Sequence, residues 1–214
     1  MKKIILFAIC CLLLHGLYAQ NLTVYRDEMG AYGFKDNVNR IIIKARYDNA
    51  MAFEEGLAHV QLNFKYGFID EKGKEIVPIK YDETGWGFSE GMVSVKLNGK
   101  WGFCDKSGNL AIPLAYENAS GFKEGLASIK LNGKWGYIDK TGTQSIGLKY
   151  DEADNFAEGL APIKLKGKWG FIDKTGKEII APIYDYAYGF SGGKANVRIA
   201  DRAFYIDAKG KEIK

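Results

Sequence analysis

Four aspartates, Asp70, Asp105, Asp139 and Asp173, recur at steps of 34 or 35 residues, and repeated carboxylates on short loops could hold a hard cation such as calcium. A calcium loop, however, converges several oxygens on one ion and places no ammonium beside them. Each of these aspartates stands alone, is followed within two positions by lysine, and opens an Asp-x-x-Gly segment. That pattern fits a turn in which the aspartate accepts backbone N–H bonds and the glycine takes the left-handed conformation. Acids crowd more densely at Asp151, Glu152, Asp154 and Glu158, and again at Asp82, Glu83 and Glu90. Two carboxylates held across a cleft could cleave a glycosidic bond, but recurrence in several copies reads more simply as solvated loop charge. A cleft exposing Trp86 beside two carboxylates would favour catalysis.

Thiol and imidazole chemistry has little to draw on. Beyond the first 19 residues the chain holds one cysteine, Cys104, and one histidine, His59. Cys104 stands where other copies have Ile69, Ile138, Ile172 and Ile206, so it reads as a small buried hydrophobe rather than a reactive thiol. His59 lies two residues from Gln61, on the face expected to point outward, and has no second histidine or cysteine to share a metal. No catalytic constellation, metal site or cofactor site is expected.

Aromatic residues carry the strongest pattern. Trp101-Gly102-Phe103, Trp135-Gly136-Tyr137 and Trp169-Gly170-Phe171 share one motif, with degenerate copies at Tyr32-Gly33-Phe34, Tyr66-Gly67-Phe68 and Ala203-Phe204-Tyr205. Such a ladder could stack sugars or grip a peptide, yet large aromatics at fixed repeat positions are first of all packing. The register derived below sets Lys96, Lys130 and Lys164 opposite the tryptophans, where they could add cation–π contact or lay their stems over the rings. Trp86 lies outside the motif, in a connection that is one residue longer than its counterparts: Tyr81 to Phe88 spans seven positions where the other copies span six. We therefore single out Trp86, Lys96, Lys130 and Lys164 as candidate partner-binding residues.

A period of about 34 residues implies units too small to bury their own apolar faces, which stack on their neighbours. Ala161, Ile163 and Leu165 alternate with Pro162 and Lys164, as in a half-buried strand. Asn-Gly at 98–99 and 132–133 supplies the two positive φ angles of a type I′ hairpin, setting Lys96 opposite Trp101 and Val95 opposite Gly102. A glycine inside a strand marks a close approach, here expected from a packed neighbour on the aliphatic face. The Asp-x-x-Gly turn leads to a third strand, Glu178-Ile179-Ile180, expected to close at Pro182. Tyr and Phe recur in each connection, the latter as Phe53, Phe88, Phe122, Phe156 and Phe190, and are expected to staple it to the stack.

These elements predict an all-β tandem array of six three-stranded antiparallel meanders, near 22–48, 49–82, 83–117, 118–151, 152–185 and 186–214. The expected form is an open solenoid-like superhelix. A closed β-propeller-like ring is the alternative, disfavoured because propeller blades have four strands and run to about 40–45 residues. At the N-terminus, Lys2 and Lys3 precede the apolar run Ile4 to Leu14 and the small-residue end Leu17-Tyr18-Ala19, the marks of a secretory signal peptide over residues 1–19. Cys10 and Cys11 lie inside the apolar run, which disfavours lipidation. Residues 20–214 would form one domain, exported to the periplasm, outer surface or medium, with no transmembrane segment once the signal is removed. The formal charge of +4, +2 without Lys2 and Lys3, is too mild and too evenly spread to signal nucleic acid.

Lys-Trp-Gly-Phe-Ile-Asp-Lys-Thr-Gly-Lys-Glu-Ile-Ile-Ala-Pro-Ile-Tyr-Asp at 168–185, followed by Phe-Ser-Gly-Gly, resembles the WG (KWG) repeat family of bacterial proteins. The resemblance implies no general activity, cofactor or catalytic residue and only an interaction role. The expected function is an exported, non-enzymatic β-repeat scaffold, monomeric, that binds a protein or cell-envelope partner. A carbohydrate-binding module and a glycan or peptide hydrolase using loop carboxylates are the alternatives.

Overall fold

The computed structural model describes residues 22–213; the expected signal peptide, with Cys10, Cys11 and His15, lies outside them. The described residues form six antiparallel sheets that follow one another in chain order, the first of three strands and the others of four. The second sheet is representative. Its strands Leu57–Leu62, Lys65–Asp70 and Glu75–Tyr81 make the meander, and the two-residue strand Asn49–Ala50, from the preceding connection, pairs with the first of them. That short fourth strand, repeated in the four sheets that follow, was not expected from the sequence.

The hairpin register is the one the two-residue turns dictate: Lys96 faces Trp101 and Val95 faces Gly102 across Asn98-Gly99, and Lys164 faces Trp169 across Lys166-Gly167. Asn98 and Gly99 take φ of 52° and 77°, which sets the twist of the flanking strands. At the second turn, Asp139 Oδ1 accepts the N–H groups of Thr141 (2.8 Å) and Thr143 (3.0 Å), and Asp173 Oδ1 does the same for Thr175 and Lys177. Turn capping therefore accounts for the repeated aspartates.

Two local expectations are corrected. The third strand does not close at the proline; Glu178–Tyr184 runs through Pro182 to the tyrosine. It is the edge strand of its sheet, where a missing N–H is tolerated, and it bulges: Trp169 pairs with Tyr184 but Phe171 with Ile180. The bulge also explains the motif glycine. A Cβ on Gly102 would lie 2.5 Å from the Ile112 carbonyl oxygen, and one on Gly170 would lie 2.5 Å from that of Ile180. What crowds the glycine is the backbone of its own sheet's third strand, not a neighbouring side chain.

Five apolar clusters join the six sheets pairwise, each drawing on two consecutive sheets, and among the described residues none unites the sixth sheet with the first. The array is thus an open row, and this interface pattern carries that conclusion, because a fourth strand removes the strand-count argument against blades. Each interface is stapled by the aromatic at the third motif position against the Phe of the next connection: Phe34–Phe53, Phe68–Phe88, Phe103–Phe122, Tyr137–Phe156 and Phe171–Phe190 have ring centroids 4.7 to 5.2 Å apart. Glutamates add a second ladder. Glu124 accepts the Gly159 N–H and pairs with Lys174 at 3.0 Å, and Glu90 does the same with Gly125 and Lys140.

Candidate functional site

The lengthened connection sits between the second and third sheets. On one side, the Gly85 N–H bonds the Ser94 carbonyl at 2.8 Å, the contact that Met51, Ser120, Asp154 and Tyr188 make in the other copies. On the other side, Phe88 packs edge-on against Phe68 at 5.2 Å. Both anchors of the loop are therefore kept, and the extra residue has no room between them. Trp86 is expelled and stands 81% exposed, an unusual position for the largest apolar side chain.

Behind it lies His59, only 8% exposed, which corrects the expectation of a surface histidine. Its alternation phase is as read, but the loop of the next repeat covers that face. The imidazole stacks on Tyr66 with centroids 5.5 Å apart and planes at 7°, leans on Phe68 at 5.0 Å, and meets the Trp86 ring nearly at right angles (76°) at 6.3 Å. Its Nε2 lies 2.7 Å from Thr84 Oγ1, tying the second sheet to the short strand of the third. Burial holds the His59 pKa below its ordinary value and favours the neutral ring.

Three adjoining cavities of 240, 380 and 430 Å³ share His59 and Trp86 as walls. The first is mostly apolar, with Met51, Leu57, Phe68 and Phe88, and has Glu54 on its wall. The second carries the amides of Asn49 and Gln61 beside Tyr66. The third reaches Asp82, Glu83, Ser94 and Trp101. Asp82 Oδ1 accepts a 2.5 Å bond from Lys65 Nζ, and its Oδ2 accepts the Asn98 N–H at 2.8 Å; these bonds, the lysine first, hold its carboxyl below the usual carboxylate range. Glu83 is paired with Lys96 at 2.5 Å.

Of the other three candidates, Lys96 pairs with Glu83 on the wall of the third cavity, whereas Lys130 and Lys164 belong to the fourth and fifth sheets. Lys96 and Lys164 place their ammonium groups 5.6 and 5.9 Å from the Trp101 and Trp169 ring centroids while pairing with Glu83 and Glu152. Lys130 faces Trp135 across the strand pair. Trp169 is buried and Trp135 packs against the core between the fourth and fifth sheets, so these indoles are packing, as expected. Cys104 is fully buried in the cluster between the second and third sheets. Its thiol lies 3.5 Å from the Tyr81 hydroxyl, and burial pushes its pKa up. The sequence singled out Trp86 by the slip in the repeat period. It gave no cue to His59, whose role depends on a loop from the following unit.

The class is thus an open row of antiparallel β-sheet repeats. The chain belongs to the family of WG containing repeats, which matches it in five consecutive copies over residues 32–66, 66–101, 101–135, 135–169 and 169–202. No curated protein matches it in sequence. Among solved structures, a eukaryotic initiation factor is similar over 91% of this chain at 12% identity and a TM-score of 0.57; the chain spans 63% of that protein's length. Hsv2p of Kluyveromyces lactis is similar over 83% of this chain and 68% of its own, at 10% identity and a TM-score of 0.51. Likeness at such identities extends to the fold alone.

Proposed function

We propose that the protein is an exported, non-enzymatic β-repeat scaffold that presents its surface to a protein or cell-envelope partner, with the Trp86 corner as the principal contact. The observation that carries this reading is an indole 81% exposed over three cavities, in a fold that otherwise buries or half-buries its motif tryptophans. Exposed aromatics backed by pockets are the residues on which binding energy concentrates. Lys96, Lys130 and Lys164 form a secondary, cationic row along the hairpins. The charged start, apolar run and small-residue end of residues 1–19 support export, and with it a partner outside the cytoplasm.

One observation favours a hydrolase as the second reading: Asp82 and Glu83 border a cavity beside Trp86. A glycosidase acid must keep its proton near neutral pH. Lys65 acts on Asp82 in the opposite direction, and Glu83 is engaged by Lys96, so the carboxylates are better suited to holding hairpins together.

Co-sedimentation of the mature protein with isolated envelopes of its native host tests the proposal. Trp86→Ala is expected to weaken binding at least fivefold, and Lys130→Ala by less. Equal sedimentation of wild type and Trp86→Ala refutes the partner role, and substrate turnover that disappears in Asp82→Asn refutes the non-enzymatic one. Recovery of the exported chain with Gln20 at its N-terminus supports export; retention of residues 1–19 in the cytoplasm counts against it.

A further inference from the structure

In five of the six sheets the residue facing the first motif position across the hairpin is a cation: Arg26 opposite Tyr32, Lys96 opposite Trp101, Lys130 opposite Trp135, Lys164 opposite Trp169 and Arg198 opposite Ala203. The second sheet breaks the rule with Gln61 opposite Tyr66. The short-strand residue facing this position varies: Glu83 and Glu152 pair with Lys96 and Lys164 at 2.5 and 2.8 Å, Asn118 faces Lys130 and Tyr186 faces Arg198, and the second sheet alone sets two amides, Asn49 and Gln61, opposite each other. One row along, His59 replaces the Ser94, Ser128, Pro162 and Asn196 of the other copies. These departures gather around the cavity of 380 Å³ that Trp86 overhangs, although they come from distant parts of a unit and from the next one.

We infer that this corner is a glycan-binding site that takes a neutral pyranose ring, with Trp86 as the stacking platform and Asn49 and Gln61 as the groups that read its hydroxyls. The inference rests on the partner-binding reading of Trp86 and specifies its chemistry. A pyranose presents a face of weakly positive C–H groups to the negative face of an indole, and its rim of hydroxyls needs donors and acceptors side by side. A carboxamide supplies both; a lysine or a carboxylate alone supplies one. Replacing the Glu–Lys pair by two amides therefore suits an uncharged polyol, whereas an anionic ligand would have favoured keeping the lysine or gaining an arginine. Stacking on Tyr66 and the bond to Thr84 fix His59 as the rigid back wall. The cavity volume is that of a site for a small ligand or one to two residues of a chain.

Tryptophan fluorescence of the mature protein, titrated with neutral cello-, malto-, manno- and N-acetylchito-oligosaccharides to about 10 mM, reads the binding, since a millimolar Kd is the weak end of specific recognition. At least one neutral series is expected to quench, and Trp86→Ala is expected to weaken its binding at least tenfold. The double variant Asn49→Glu/Gln61→Lys recreates the row of the third and fifth sheets, so it is expected to fold with an unchanged thermal midpoint and still lose at least tenfold. Absence of any response to the neutral series overturns the inference, as does binding confined to polygalacturonate or choline, or affinity unchanged in the double variant. Displacement of the oligosaccharide by host envelopes assigns the ring to the envelope; displacement by free oligosaccharide only assigns it to a soluble glycan, and both support the site. Envelope binding that depends on Trp86, survives periodate and is lost on proteolysis overturns the glycan and leaves the scaffold reading standing.

Discussion

Gly102→Ala is expected to be far more damaging than its single methyl suggests. The added Cβ would sit 2.5 Å from the Ile112 carbonyl oxygen and 2.8 Å from the carbonyl carbon and oxygen of Pro113. All three are backbone atoms, so no side chain can swing aside. The edge strand must move away, and with it the pairings Trp101↔Tyr116 and Phe103↔Ile112. Overpacking of this kind costs about 1–3 kcal/mol, a weakened strand hydrogen bond adds about 1 kcal/mol, and the stiffer unfolded chain returns about 0.4–1 kcal/mol. The net loss is about 2 kcal/mol, or roughly 4–8 °C in thermal midpoint for a chain of this size. Gly121→Ala is the control: its φ is not positive, and the added Cβ meets only the Ser89 Cβ at 3.8 Å, so it is expected to leave the midpoint unchanged or slightly higher. Thermal and urea unfolding followed by circular dichroism measure both. A Gly102→Ala midpoint within about 1 °C of wild type would refute the close-approach explanation of the motif.

Acidification from pH 8 to pH 5 is expected to lower stability through His59. Its folded pKa lies below the unfolded value of about 6.5, so the unfolded chain binds the extra proton and stability falls as pH drops below that value, levelling off beneath the folded pKa; in His59→Gln the midpoint should lose most of its pH dependence across this window. Cys104 is expected to resist a thiol reagent in the native protein and to react on unfolding, because it is fully buried and its thiolate is disfavoured; rapid native labelling would contradict the buried placement. Glu124→Ala, which removes the acceptor of the Gly159 N–H and the Lys174 pair, should cost less than about 1 kcal/mol in urea, and the part due to the ion pair should shrink in about 1 M salt.

Local chemistry was legible in the residues. Asn98-Gly99 fixes a hairpin because only a type I′ turn suits two positive φ angles and matches strand twist, and from that turn the facing of Lys96 and Trp101 follows by counting. Cys104 could be placed in the core because isoleucine occupies its position in four other copies. Trp86 could be flagged because an inserted residue must leave a loop whose ends are pinned. Less legible was anything that depends on backbone meeting backbone. Pro182 marks a strand end by the usual rule, yet the strand continues, since the bulge and the free edge remove the need for its N–H.

By itself, then, the sequence determined the six-fold meander, the hairpin registers, the turn caps and the position where the repeat slips, because each depends on residues within one unit and on the conformations they permit. Tertiary structure decided the two-residue fourth strand, the strand backbone that makes Gly102 obligatory, the open run of five interfaces, and the burial of His59 beneath the loop that carries Trp86. In each of these a group is defined by what approaches it from elsewhere in the chain. Alternation along a strand cannot say whether an outward face meets water or the next repeat.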